Sequence, residues 1–272
     1  MERLEAALEK AREQRHSNVR ENTGQAATKP IKASVQENWS QLKEIKLSQR
    51  AARNNRVTTL QTGPNSGAYD MLRSRTLRIM RENGWKNLAV TSPNKECGKT
   101  TVSTNLAISL ARQADLKILL LDMDMRRPSL HKILAHRPAQ SLHSVFEGKA
   151  DPREQFVRMG DNLALGMNNS AAHNPSELLQ SNATKQCLAD FDRLFQPDIT
   201  IFDMPPMLVS DDNVGFLENA DCGLLVGAAE ETTIKQLDSC EKELAELTNV
   251  LGIVLNKCRY VDNDSGYDYD YY

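Results

Sequence analysis

From Leu88 onward, short apolar runs alternate with stretches of helical period, a pattern that the first sixty residues lack. Leu88-Ala89-Val90-Thr91, Ile118-Leu119-Leu120-Leu121, Ile199-Thr200-Ile201-Phe202 and Leu251-Gly252-Ile253-Val254-Leu255 are each bounded by polar residues, which predicts buried strands. A helix carrying Leu106, Ile108 and Leu110 follows the first of them. The alternation runs to about residue 257 and predicts an α/β fold, a mostly parallel sheet with helices on both faces. Upstream, Tyr69, Leu72, Leu77 and Met80 lie at helical spacing, and Asn83-Gly84 supplies a stop.

The N-terminal part reads differently. Met1 to about His16 reads as a charged helix with Leu4, Ala7, Leu8 and Ala11 on one face. Residues 17–35 are polar, contain Gly24 and Pro30, and read as a linker. Glu37 to Arg53 predicts a second short helix around Trp39, Leu42, Ile45 and Leu47. Its basic residues are either a patch for acidic lipid or a solvated helix face. Three regions result: a charged, flexible extension over 1–65, a compact domain over 66–258 and a tail over 259–272. There is no internal repeat, and no apolar run reaches the length of a bilayer span.

Composition adds limits. An apolar share of 40% supports a substantial core, and a net charge of −2 hides a basic N-terminal part and an acidic tail. The five cysteines have no CxxC spacing, an odd count that, without a signal peptide, reads as reduced and cytosolic. The five histidines form no metal-ligand pattern. No nucleic-acid partner is expected.

The candidate chemistry starts where the first strand meets Ser92-Pro93-Asn94-Lys95-Glu96-Cys97-Gly98-Lys99-Thr100-Thr101. Strand, loop ending Gly-Lys-Thr, then helix is the context of a phosphate-binding P-loop, whose backbone N–H groups and helix dipole favour an anion. Asn94, Lys95, Glu96, Cys97, Gly98, Lys99, Thr100 and Thr101 are therefore the candidate nucleotide-binding residues. Lys99 would reach the β- and γ-phosphates of ATP, and the Thr100 hydroxyl would ligate Mg²⁺. Pro93 stands where the motif has its leading glycine, so Gly98 is the loop's only glycine. Cys97 is either a thiol sensor or a small residue in the loop. Two strands end in carboxylates, Asp122 and Asp124 in one Asp-x-Asp-x-Arg run and Asp203 in an Asp-x-Pro-Pro run. Ligands of open parallel sheets bind beyond such strand ends, so these acids are expected to converge on the P-loop. Asn256, after the last strand, is either an adenine contact or an ordinary loop residue.

The last thirteen residues hold five of the six tyrosines, four aspartates and no basic residue. With almost no aliphatic content, the segment is expected to stay flexible and solvated. Tyr260, Tyr267, Tyr269, Tyr271 and Tyr272 are candidate phosphoacceptors in a chain that also carries a nucleotide site; the bland reading is an acidic solubilising tail.

The P-loop, Leu119 to Pro128, Asn174-Pro175-Ser176-Glu177-Leu178-Leu179, Phe202-Asp203-Met204-Pro205-Pro206 and the tyrosine cluster together resemble the stand-alone bacterial tyrosine kinases of capsule and exopolysaccharide synthesis. The resemblance implies autophosphorylation of tail tyrosines in trans with MgATP, Lys99 holding phosphates and Thr100, Asp124 and Asp203 supporting Mg²⁺. Asp122 would accept the tyrosine proton, so Lys99, Asp122 and Asp124 are the catalytic candidates. It further implies a membrane polysaccharide co-polymerase as partner, recruitment to the inner face of the cytoplasmic membrane, and self-association through tails in neighbouring active sites. Each phosphate adds about −1.5 to −2 charges, so phosphorylated tails would leave those sites. The family's Glu-x-x-Arg-x-x-Arg helix, which helps subunits form a ring, aligns with Gly67, Asp70 and Arg73, so only the last arginine is kept. The first sixty residues fall outside these motifs and either dock the membrane partner, with Trp39 as anchor, or serve as a tether. Two other readings stand beside this one. A ParA/MinD-like ATPase shares the fold, but its signature lysine position holds Asn94, with Lys95 one place late. A weakly active regulatory protein would bind nucleotide and signal by assembly.

Overall fold

The computed structural model describes residues 35–63 and 66–259. Its eight strands form one sheet in the order β1-β4-β5-β3-β6-β2-β7-β8. They are β1 (Lys43–Glu44), β2 (Asn87–Thr91), β3 (Ile118–Asp122), β4 (Val157–Met159), β5 (Leu163–Gly166), β6 (Ile199–Asp203), β7 (Cys222–Ala228) and β8 (Asn249–Asn256). All pairings are parallel except β4 with β5. The longer helices are α3 (Gly67–Asn83), α4 (Lys99–Ala111), α9 (Asn182–Phe195) and α11 (Ile234–Leu247). Shorter ones are α1 (Val35–Gln41), α2 (Gln49–Asn54), α5 (Leu130–Ile133), α6 (Leu142–Phe146), α7 (Pro152–Gln155), α8 (Pro175–Gln180) and α10 (Asp212–Phe216).

Strands β3, β6 and β7 are buried along their whole length, as strands covered on both faces must be. Their side chains divide between two apolar layers with a period of two. Ile118, Leu120, Ile199 and Ile201 join the layer under α3 and α4, while Leu119, Leu121 and Phe202 join the layer under α9 and α11. That period also aims the strand-end acids. Asp122 and Asp203, in step with Ile118 and Ile199, face the α4 side and are register partners across β3 and β6.

Helix α3 ends at Gly84, whose left-handed φ of 69° closes the helix as the sequence predicts. The expected boundary near Ser66 is corrected, because residues 35–63 pack into the apolar layers of the sheet. The single helix expected over Glu37 to Arg53 is instead α1, β1 and α2, with Ser48 capping the third element. Tertiary pairing overrides the helical pattern there: β1 extends the sheet on the edge of β4, and Ile45 N–H donates to Arg158 O at 2.8 Å. Trp39, expected as an exposed anchor or part of a tether, is 1% exposed. Its Nε1 donates to Phe195 O at 2.8 Å and its ring meets Phe195 edge-on, 5.9 Å between centroids. Ala52 and Val57 belong to the opposite layer, so residues 35–63 wrap the sheet from one face to the other.

The predicted helix over Met1 to His16, the linker up to Ser34 and the tail tyrosines lie outside the described residues. No helix among the described residues is long and apolar enough to cross a membrane. All five cysteines are unpaired by disulfides.

Candidate active site

Strand β2 delivers the chain into the loop Ser92–Gly98, and α4 starts at Lys99. Two residues turn the loop through left-handed backbone, Glu96 at φ 63° and Gly98 at φ 90°. Gly98 has a second constraint, since a Cβ there would sit 2.1 Å from Asn256 Nδ2. That amide donates to Cys97 O at 2.9 Å, so the end of β8 pins the P-loop. Pro93, in place of the leading glycine, is braced differently. Leu208 N–H donates to Pro93 O at 3.1 Å and Met207 N–H to Ser92 O at 2.8 Å, both from the loop after β6. The first α4 bond runs from Val102 N–H to Gly98 O, and the N–H groups of residues 98–101 have no acceptor among the described residues. Free donors at a helix start are a cradle for phosphate.

The expected carboxylates converge on this loop. Lys99 is buried and its Nζ donates to Asp124 Oδ2 at 2.9 Å. Burial pulls its pKa down, but the charges of Asp203, Asp124 and Asp122 lift it above the ordinary lysine value. Asp122 and Asp203 are fully buried, and burial holds the pKa of both above the usual carboxylate range, that of Asp122 further because Asp203 adds its charge. Asp122 Oδ2 accepts from Leu130 N–H at 3.2 Å, and Asp203 Oδ1 accepts from Ser103 Oγ at 3.2 Å. Their other oxygens, Asp122 Oδ1 and Asp203 Oδ2, are buried without a partner. Thr100 Oγ1 lies 2.8 Å from Ser129 Oγ.

An all-oxygen set with orphaned carboxylate oxygens fits a hard cation such as Mg²⁺. Among the described residues no group of three or more His, Cys, Asp or Glu forms a ready-made metal cage. Mg²⁺ needs none, because it keeps waters and takes phosphate oxygens.

A cavity of about 1230 Å³ opens over the P-loop and is lined by Lys95, Glu96, Gly98, Lys99, Thr100, Thr101, Asp124 and Asn256. Asp122 and Asp203 lie outside that lining. Asn94 is half-buried and outside that lining, as is Cys97, which is 2% exposed with its Sγ 3.6 Å from Thr232 Oγ1. Asn256 is therefore a P-loop clamp whatever else it touches.

Sequence reasoning passed over one part of the site. Arg126, in the Asp-x-Asp-x-Arg run, forms a two-pronged ion pair with Asp212, Nε to Oδ2 at 2.8 Å and Nη2 to Oδ1 at 2.9 Å. Ser176 Oγ also donates to Asp212, tying α8 to α10 and to the loop that carries Asp124. The neighbouring Asn213 Nδ2 donates to Pro205 O at 3.0 Å. Asp212 stands 86 residues from Arg126, and nothing local marks it. The ring-helix positions also have a local explanation. Asp70 accepts from Arg73 at 3.1 Å, Arg112 at 2.9 Å and Ser109 at 2.9 Å, so the surviving arginine is turned onto α4.

A parallel sheet with a P-loop after β2, a lysine held by strand-end acids and a large cleft above them defines a P-loop nucleotide-binding protein. The CobQ/CobB/MinD/ParA nucleotide-binding domain family matches residues 88–268. Tyrosine-protein kinase YwqD of Bacillus subtilis is 30% identical over 213 residues, covering 76% of this chain and 88% of that protein. Tyrosine-protein kinase ptk of Acinetobacter johnsonii is 30% identical over 172 residues, and the chain spans only 23% of its length. The solved kinase domain of the Escherichia coli tyrosine kinase ETK superposes with a TM-score of 0.65 at 22% identity, covering 85% of this chain and 94% of that one, which concerns the fold alone. The chain belongs to the bacterial tyrosine kinases within this nucleotide-binding family.

Proposed function

We propose that this protein is an ATP-dependent protein-tyrosine autokinase that phosphorylates its own C-terminal tyrosines in trans and thereby regulates exopolysaccharide or capsule synthesis or export. The observation that carries the reading is the P-loop lysine Lys99 held by Asp124, beside the orphaned oxygens of Asp122 and Asp203. Phosphoryl transfer needs positioning and charge neutralisation more than covalent help, and this arrangement supplies both. MgATP contributes the phosphoryl group and the metal when bound.

Lys99 and the N–H groups of residues 98–101 would hold the phosphates, and Thr100, Asp124 and Asp203 would hold Mg²⁺ directly or through water. A tyrosine hydroxyl has a reference pKa of about 10, so a carboxylate with a raised pKa is the better-matched proton acceptor. Asp122 has that property and an Oδ1 without a partner, and it is assigned this role. Tyr260, Tyr267, Tyr269, Tyr271 and Tyr272 are the acceptors. The partner is a membrane polysaccharide co-polymerase, which recruits the kinase to the inner face of the cytoplasmic membrane, and copies associate through tails in neighbouring clefts.

Intact mass after incubation with MgATP tests the reading. Stepwise gains of one phosphate are expected in the full chain and in neither Lys99→Met nor a truncation before Tyr260. Mixing Lys99→Met with the truncated chain should restore phosphate on the Lys99→Met tail, which reports transfer in trans. Nucleotide binding without phosphate gain in any sample would overturn it in favour of a regulatory ATPase.

A further inference from the structure

The cleft is larger than a nucleotide needs. Small-molecule sites run to about 1000 Å³, and this cavity reaches about 1230 Å³. The P-loop forms part of the lining, and the other walls come from α3, β8, the loops after β3 and β6, and Arg56 and Thr58.

The cations on these walls fall into two groups. Lys99, Arg126 and Lys257 are engaged by Asp124, Asp212 and Glu231. Arg56, Arg75 and Arg127 are exposed, and their side chains have no carboxylate partner among the described residues. Lys95 is likewise exposed and unpaired, and Glu96 beside it is the one exposed carboxylate of the lining. The rim therefore presents unneutralised positive charge to whatever enters.

Two of these arginines come from elements other than the P-loop, Arg56 from the turn after α2 and Arg75 from α3. Arg56 sits in left-handed backbone, φ 57°. Its carbonyl accepts from Asn105 Nδ2 at 3.0 Å, and Asn105 Oδ1 accepts from Thr58 N–H at 2.8 Å and Thr59 N–H at 3.2 Å. Asn105 is fully buried on α4, so residues 56–59 are fastened to the helix that starts at the P-loop. Arg75 shares its α3 face with Leu72 and Ile79, which line the same cavity. The same cavity is lined by Ile253 and Leu255, which β8 leaves exposed, an apolar surface for an aromatic ring.

We propose that Arg56 and Arg75 are specificity residues that select tyrosines embedded in acidic sequence. The inference rests on the kinase reading and names its substrate class. The occupant they fit is present in the chain: its last thirteen residues include four aspartates and no cation, and tyrosine alternates with aspartate over residues 267–271. A concave surface of one charge sign concentrates ligands of the opposite sign. Arg56 and Arg75 both lie outside the family-matched residues 88–268, Arg56 in the N-terminal wrap and Arg75 on α3.

The test measures binding as well as turnover. A fluorescent peptide of residues 266–272, Gly-Tyr-Asp-Tyr-Asp-Tyr-Tyr, and its counterpart with Asp268→Asn and Asp270→Asn are titrated with the full chain in MgADP by anisotropy. The same peptides are then assayed as substrates with saturating MgATP. The acidic peptide should bind about tenfold more tightly at low salt, a preference that fades at high salt. Arg56→Gln with Arg75→Gln should abolish the preference while MgATP affinity and thermal midpoint stay within error. Equal binding of both peptides by the wild-type chain overturns the proposal, as does a preference that survives the double substitution. If peptides bind selectively and no phosphate is ever transferred, the kinase reading fails and the charge selectivity stands.

Discussion

Replacing Trp39 by alanine separates a structural wrap from a tether. The side chain is 1% exposed, stacks edge-on against Phe195 and donates to a main-chain carbonyl at 2.8 Å. An aromatic side chain buries about 150–250 Å², and about 25 cal/mol per Å² puts its apolar contribution at roughly 4–6 kcal/mol. Truncations of buried Phe or Trp to alanine cost about 3–5 kcal/mol in practice. Leaving Phe195 O without its donor adds roughly 1–3 kcal/mol where water cannot reach it. A loss of about 4–5 kcal/mol is the working figure. For a domain of this size it lowers the thermal midpoint by roughly 10–15 °C, at about 2–4 °C per kcal/mol. Urea unfolding followed by circular dichroism measures it. Trp39→Phe serves as the control, keeping a ring and losing the donor, with about 1–3 kcal/mol expected. A shift below about 0.5 kcal/mol for Trp39→Ala, the value of an exposed position, would refute the reasoning and return residues 35–63 to a tether.

Gly98→Ala combines a left-handed φ of 90° with a Cβ 2.1 Å from Asn256 Nδ2. About 1–3 kcal/mol of backbone strain should weaken MgATP roughly tenfold to a hundredfold by calorimetry, and unchanged affinity would contradict the clamp. Asp212 has its pKa below the ordinary value; burial opposes this, but bonds from Arg126 and Ser176 prevail. A depressed folded-state pKa contributes stability above the unfolded value of about 4, lost as pH falls through the folded one. Asp212→Asn should therefore cost about 2 kcal/mol at pH 6 and progressively less below pH 4 (urea midpoints at both pH values), whereas a cost independent of pH would exclude the ion pair. Burial, followed by nearby negative charge, pushes Cys222 up to about 12 and Cys240 up to about 11. At pH 8 a maleimide should label exposed Cys258 first and reach Cys222 and Cys240 only on unfolding; prompt labelling of either would show that the core is not packed this way.

The chemistry-bearing parts were legible because each is a local pattern. Ser92 to Thr101 lies between an apolar strand and an apolar-faced helix, and only that context makes Gly-Lys-Thr a phosphate cradle. The runs ending at Asp122 and Asp203 announce buried strands, and the rule that ligands sit beyond strand ends brought both to Lys99 before any coordinate did. What local pattern withheld was partnership. Leu42, Ile45 and Leu47 carry a helical spacing that β1 overrides, because a free edge on β4 offers backbone hydrogen bonds that an isolated helix cannot match. Trp39 on a short polar stretch looks like a surface anchor until Phe195, 156 residues away, supplies an acceptor and a ring. Arg126 finds its counter-ion in Asp212 only after the chain has laid β6 beside β3. The sequence by itself determined the alternation of strands and helices after Leu88, the phosphate loop and which acids end strands, since these follow from periodicity and backbone chemistry within a few residues. Tertiary structure alone decided that residues 35–63 wrap the sheet, that Asn256 pins Gly98, and that Arg56 and Arg75 share one cleft, because each depends on which distant surface the folded sheet places opposite.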